Sequence, residues 1–147
     1  MPLVSLRSTL AMGDPERSAM NSRYLKLSSW LAVTFGIFLL FGETRRNWGE
    51  WGHWTSYTFD YLFALLLVLF GYHCLKHRSF ARVLLVATWI FTIAMLTYSF
   101  LGHISHLDGP TNGPIPHLEL TIWIGALDVV AFVGLVCSLI SFFYNEP

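Results

Sequence analysis

Charged residues in this chain fall mainly in short segments that separate four long apolar runs. Residues 83–102 contain no charge over 20 positions, and residues 120–144 contain only Asp128 over 25 positions. The hydrocarbon layer of a bilayer is about 30 Å thick and takes about 20 helical residues to cross. Only helices and closed barrels satisfy their backbone hydrogen bonds there. The pattern therefore predicts transmembrane helices.

We expect an all-α, polytopic integral membrane protein with four transmembrane helices in one bundle. The predicted spans are 25–41, 56–75, 81–102 and 118–144. Residues 1–22 mix Ser, Pro, Arg and Asp without apolar periodicity, which predicts a disordered tail before a bundle domain over 23–147. A run of Gly, Pro and Asn over 108–116 predicts a loop between the third and fourth helices.

The distribution of basic residues predicts the orientation, because positively charged loops tend to stay cytoplasmic. Seven basic residues flank one side of the predicted membrane: Arg7, Arg17, Arg23, Lys26, Lys76, Arg78 and Arg82. The opposite side holds only Arg45 and Arg46. Both termini are therefore expected to be cytoplasmic, and a bacterial cytoplasmic membrane is the expected location.

Composition supports a bilayer environment. Apolar types make up 54% of the chain and charged types 12%, against roughly 25% charged residues in soluble domains. Nine basic residues balance nine acidic ones, so no net basic field favours nucleic acid. The two cysteines provide neither a disulfide framework nor a zinc signature. The expected partners are the lipid bilayer and either other membrane proteins or further copies of this chain.

Asp128 is the costliest residue in the predicted spans. An ionised carboxylate near mid-membrane costs about 2.5 to 3.5 kcal/mol on insertion scales. Counted from the external helix ends at about 1.5 Å per residue, Asp128 lies about 15 Å deep and Thr92 about 14 Å. A hydrogen bond between the two is expected. One interpretation is a neutral carboxyl bonded across helices; the other is proton or cation handling.

The third span carries a polar stripe. At 100° per residue, one narrow arc contains Thr88, Thr92, Met95, Ser99, Gly102, His103 and His106. A lipid-facing surface gains nothing from such a stripe, so it is expected to face another helix. Packing of small residues, with hydroxyls bonded to the carbonyl one turn back, is one interpretation, and a hydrated proton path is the other. Asp128, Thr92, Thr88 and Ser99 are therefore the candidate intramembrane polar site.

Four histidines are expected on the external side, and a metal or haem is the cofactor to consider there. His53, His103, His106 and His117 could converge with Asp60 at the mouth of the bundle. Imidazoles are suitable ligands for copper, zinc or haem iron. Ordinary interface histidines are the alternative.

Catalysis has no support in the sequence, which contains no nucleophile elbow, phosphate loop, zincin helix or paired-cysteine redox motif. Three functions stay open. The first is an accessory or assembly subunit of a larger membrane complex. The second is a metal- or haem-handling redox subunit that uses the external histidines. The third is a small proton-coupled transporter centred on Asp128.

Overall fold

The computed structural model describes residues 15–46, 54–76, 78–105 and 117–143, and these residues form four helices without strands. The helices are α1 (Pro15–Arg46), α2 (Trp54–Leu75), α3 (Ser79–Ile104) and α4 (His117–Phe143). Each contains a segment long and apolar enough to cross a membrane: Ser22–Arg45, Thr58–Leu75, Phe80–Ile104 and Leu118–Phe143. The predicted all-α class and the four membrane helices are confirmed.

The start of α1 differs from the sequence expectation. Residues 15–22 are helical although they were expected to belong to a disordered tail, whereas residues 1–14 lie outside the described residues. Pro15 is the first helical residue, a position where its fixed φ is suitable and its missing N–H costs nothing. A span that is already helical also extends without a new nucleus. Both effects lengthen the helix beyond the apolar run.

The four helices form a ring in chain order. Extensive packing joins α1 to α2, α2 to α3, α3 to α4, and α4 back to α1. A turn of only three residues connects α2 and α3, and it is closed by backbone bonds of 3.1 Å from Arg78 N–H to His73 O and from Lys76 N–H to Tyr72 O. Short connections place successive helices antiparallel, as in an up-and-down bundle. The orientation in the membrane stays a prediction.

Glycines bring α1 and α2 into close contact. A Cβ at Gly36 of α1 would lie 2.6 Å from the Ala64 carbonyl oxygen, and one at Gly71 of α2 would lie 2.8 Å from the Ser29 carbonyl oxygen. Backbone atoms cannot move aside as a flexible side chain can. Helices in lipid associate largely through van der Waals packing, which small interface residues make possible. These two glycines therefore set the α1–α2 separation and register.

The core is small and lies along the bundle axis. Its buried apolar residues are Leu25, Ala32, Phe35, Leu67, Cys74, Ala81, Leu85, Trp89 and Ala131. Large apolar side chains also point outward, as shown by Leu65, Phe91 and Phe132, which are 56%, 56% and 59% exposed. Such surfaces would be unstable in water but are matched by lipid chains.

Candidate functional site

The carboxyl group of Asp128 lies between α3 and α4. Its Oδ2 accepts a hydrogen bond of 2.9 Å from Thr97 Oγ1 of α3. Its Oδ1 is buried and has no hydrogen-bond partner among the described residues. One carboxyl oxygen is thus bonded across the helix interface while the other is buried.

The partner of Asp128 is Thr97 and not Thr92, which corrects the expected pair. Depths counted from the helix ends assume that the ends are level, but the packing of α3 on α4 sets a different register. A Cβ at Gly125 would lie 3.0 Å from the Phe100 ring, and one at Gly134 would lie 2.4 Å from the Trp89 ring. In this antiparallel register Thr97, three residues before Phe100, is level with Asp128, three residues after Gly125.

The surroundings of Asp128 contain no counter-charge among the described residues. No cation forms an ion pair with it within the part of the chain that the structure describes. A buried carboxylate with one hydrogen bond would leave its second oxygen both charged and unsolvated, which is costly in an apolar medium. Oδ1 is therefore the atom of Asp128 at which a further hydrogen-bond partner would bind.

The polar stripe of α3 is satisfied within its own helix where it is buried. Thr88 Oγ1 donates to Leu84 O at 2.7 Å, and Thr92 Oγ1 donates to Thr88 O at 2.8 Å. This is the bonding that the packing interpretation predicts. Ser99 is only half-buried and Gly102 is exposed, so the stripe is more open toward the C-terminal end of α3. The structure does not connect Thr88 or Thr92 to Asp128.

A buried polar network that sequence reasoning missed joins three helices. Ser28 Oγ of α1 lies 2.9 Å from Gly134 O, 2.6 Å from Ser138 Oγ and 3.2 Å from Trp89 Nε1. Every group is satisfied if Ser28 donates to Gly134 O and accepts from both Ser138 and the indole N–H. An indole N–H placed deep in a span needs an acceptor, so Trp89 is the sequence signal for this network.

The proposed external metal ligands fall mostly outside the described residues. His53 and His106 lie there, and so does the side chain of His117. His103 and Asp60 are described, half-buried and engaged in interactions. Among the described residues, no group of three or more His, Cys, Asp or Glu side chains could hold a metal. A metal or haem that needs the other three histidines stays a prediction.

Hydrogen bonds between side chains also join α1 to α2, at Thr44 with Tyr61 and at Ser29 with Cys74. The network around Ser28 is saturated and stabilises the fold, whereas the carboxyl group of Asp128 keeps one oxygen without a partner among the described residues. Comparison with protein-family models, with curated proteins and with solved structures finds no match to this chain.

Proposed function

We propose that the protein is an accessory or assembly subunit of a larger membrane complex. The observation that carries the proposal is the filled axis of the bundle. Trp89 is fully buried there, its indole N–H is bonded to Ser28, and its ring lies 5.7 Å from that of Phe35 and against Gly134. Three of the four helices meet at this one large side chain, which supports a rigid bundle.

A filled axis supports a role for the outer surface of the bundle. A carrier needs polar groups that line a hydrated path, whereas the buried hydroxyls of Ser28, Thr88 and Thr92 are all engaged in hydrogen bonds to the protein. Engaged hydroxyls offer little to a passing ion or substrate. A rigid block with satisfied polar groups instead resembles a packing element for other membrane helices.

The outward faces are suitable for such a role. On α4, a continuous exposed strip is formed by Val129, Val130, Phe132, Val133 and Val136. β-branched and aromatic side chains have few rotamers, so they lose little entropy when a partner helix replaces lipid. Association in a bilayer depends on such shape-dependent contacts and not on hydrophobic burial.

Site-specific photo-cross-linking in the native membrane tests the proposal. One photoreactive residue is placed in turn at exposed positions of each helix, namely Ile37, Leu65, Ile90 and Val129. A subunit contacts its partner through particular faces, so at least one position should yield a conjugate with a different polypeptide while others yield only lipid adducts. Conjugates with lipid alone from all four positions, or only with further copies of this chain, would contradict the proposal.

A second candidate is a proton-coupled carrier, which the buried and unpartnered Oδ1 of Asp128 favours. Proton uptake by liposomes that contain the purified protein tests it. If Asp128 is the carrier site, Asp128→Asn abolishes proton uptake. Glu119→Gln is the control and leaves uptake unchanged, because Glu119 is an exposed acid in the first turn of α4. The accessory-subunit proposal expects no uptake above that of protein-free liposomes.

A further inference from the structure

Among the side chains that the structure describes, most of the cations lie at one end of the bundle and the carboxyl groups lie elsewhere. The cations at the basic end, which contains the α2–α3 turn, are Arg23, Lys26, Lys76, Arg78 and Arg82. The carboxyl groups whose side chains are described lie at the opposite end or within the span, and they are Glu43, Asp60, Glu119 and Asp128. The described side chains at the basic end therefore include no carboxylate, and the acids nearest to this end in the sequence are Asp14, Glu16 and Glu146. None of its five cations forms an ion pair with a described carboxylate.

Three of these cations are brought together by the short α2–α3 turn. Lys76 and Arg78 lie within the turn, and Arg82 follows in the first turn of α3. In the antiparallel register that Gly71 sets against Ser29, Lys26 of α1 is level with Cys74, two residues before Lys76. Lys26 and Lys76 therefore differ in depth by about 3 Å.

Arg82 has the least favourable local environment of the group. It is half-buried and lies near the N-terminus of α3, where the helix dipole adds positive charge and acidic residues are preferred. The first turn of α3 contains no acid, and its N-cap residue, Arg78, makes no side-chain cap bond. None of the carboxylates among the described side chains forms an ion pair with a guanidinium in this position. An external anion would satisfy both the guanidinium and the helix end.

We propose that this basic end binds the phosphate headgroup of an anionic phospholipid through Arg82, Arg78 and Lys76. The depth of Arg82 in the membrane supports a lipid ligand. Arg82 lies two residues, or about 3 Å along the helix, inside the span that begins at Phe80. Basic clusters at this level between membrane helices are suited to acidic headgroups.

Aromatic rings beside the cations distinguish a lipid from a free phosphate ion. Tyr72 and Phe80 are 51% and 54% exposed on the outer surface of the turn region. The Nζ atom of Lys76 lies 5.6 Å from the centre of the Tyr72 ring. A phosphate beside Lys76 would thus have apolar rings at the depth where its acyl chains begin. A soluble anion would gain nothing from these rings.

Lipid titration of the purified full-length protein tests the proposal. Native mass spectrometry counts bound lipid as phosphatidylglycerol or phosphatidylcholine with the same acyl chains is added to the protein in mild detergent. Phosphatidylglycerol should bind more tightly. Arg82→Gln should weaken its binding about fivefold, the effect of one basic residue near an anionic surface. Arg82→Lys should keep most of the binding and shows that any loss is not caused by misfolding.

Arg45→Gln is the matched control, since Arg45 is an exposed arginine at the opposite end of the bundle. Its phosphatidylglycerol binding should equal that of the wild type. Equal affinity for the two lipids, unchanged binding in Arg82→Gln, or an equal loss in Arg45→Gln would each overturn the proposal. Inorganic phosphate is added as a competitor in a separate arm. Displacement of the lipid by phosphate at equal concentration would assign the site to a soluble anion and overturn the lipid assignment.

Discussion

The indole of Trp89 occupies the space that a side chain at Gly134 would need. A Cβ at position 134 would lie 2.4 Å from Cζ2 and 2.6 Å from Cε2 of the ring. The ring cannot move away easily, because its N–H is bonded to Ser28 and its other side meets Phe35. This contact determines both the register of α3 on α4 and the closure of the bundle axis.

Gly134→Ala should therefore destabilise the bundle. Forcing one methyl group into a well-packed core costs about 1 to 3 kcal/mol, which lowers the midpoint of thermal unfolding in mild detergent. Gly42→Ala is the control, because a Cβ there meets nothing within 4 Å and Ala is favoured over Gly in a helix by about 1 kcal/mol. Equal midpoints for the two variants would show that Trp89 and Gly134 are not in contact.

Two adjacent buried serines should respond differently to removal of their hydroxyls. Ser28→Ala leaves the Trp89 N–H without its acceptor, a loss of about 1 to 3 kcal/mol for a buried donor. Ser29 Oγ donates to Leu25 O of its own helix at 2.7 Å, and its other hydrogen-bond partner is the thiol of Cys74, which is a weak donor. Ser29→Ala should therefore cost clearly less. The difference is measured by thermal unfolding, and a reversed order would contradict the proposed network.

The bond between Thr97 and Asp128 should be detectable as a coupling energy. Asp128→Asn keeps the shape and the acceptor and should be tolerated, whereas Asp128→Leu leaves Thr97 unpaired at about 1 to 2 kcal/mol. A double-mutant cycle with Thr97→Val should give a coupling of about 0.6 kcal/mol, and up to about 1.7. A second cycle that uses Thr92→Val in place of Thr97→Val should give no coupling energy. Loss of accumulation in Asp128→Asn equal to that in Asp128→Leu would indicate that an ionised carboxylate is needed.

The predicted orientation is tested by cysteine labelling with a membrane-impermeant reagent. Thr111→Cys should be labelled in intact cells, whereas Ser8→Cys and Ser79→Cys should react only after permeabilisation, since seven basic residues flank their side. The native Cys74 and Cys137 are 2% and 6% exposed and should add little background. External labelling of Ser79→Cys would reverse the orientation.

Long apolar runs with at most one or two charges predicted the helices well, because membrane insertion depends on summed hydrophobicity. The structure extends α1 to Pro15 and α3 to Ile104, beyond the predicted spans at 25 and 102. Helices continue past the hydrocarbon layer until a turn or a breaker stops them. Hydropathy alone cannot locate such ends.

Interhelical contacts were harder to predict, because they depend on register. The depth count paired Asp128 with Thr92, whereas the rings of Trp89 and Phe100 against two glycines shift α3 so that Thr97 is its partner. Ser28 and Ser138 looked like ordinary small residues, and only the packed bundle brings them to 2.6 Å. Local sequence contains no information about which faces of distant helices meet.

The central claim is tested most directly by the mass of the complex that contains this chain. A nanodisc-forming polymer extracts the complex from the membrane together with its native lipids. Native mass spectrometry then resolves the polypeptides. We expect the 16.8 kDa chain in a fixed ratio with at least one different polypeptide. Particles that contain this chain alone, singly or as a homo-oligomer, would contradict its role as a subunit of a larger membrane complex.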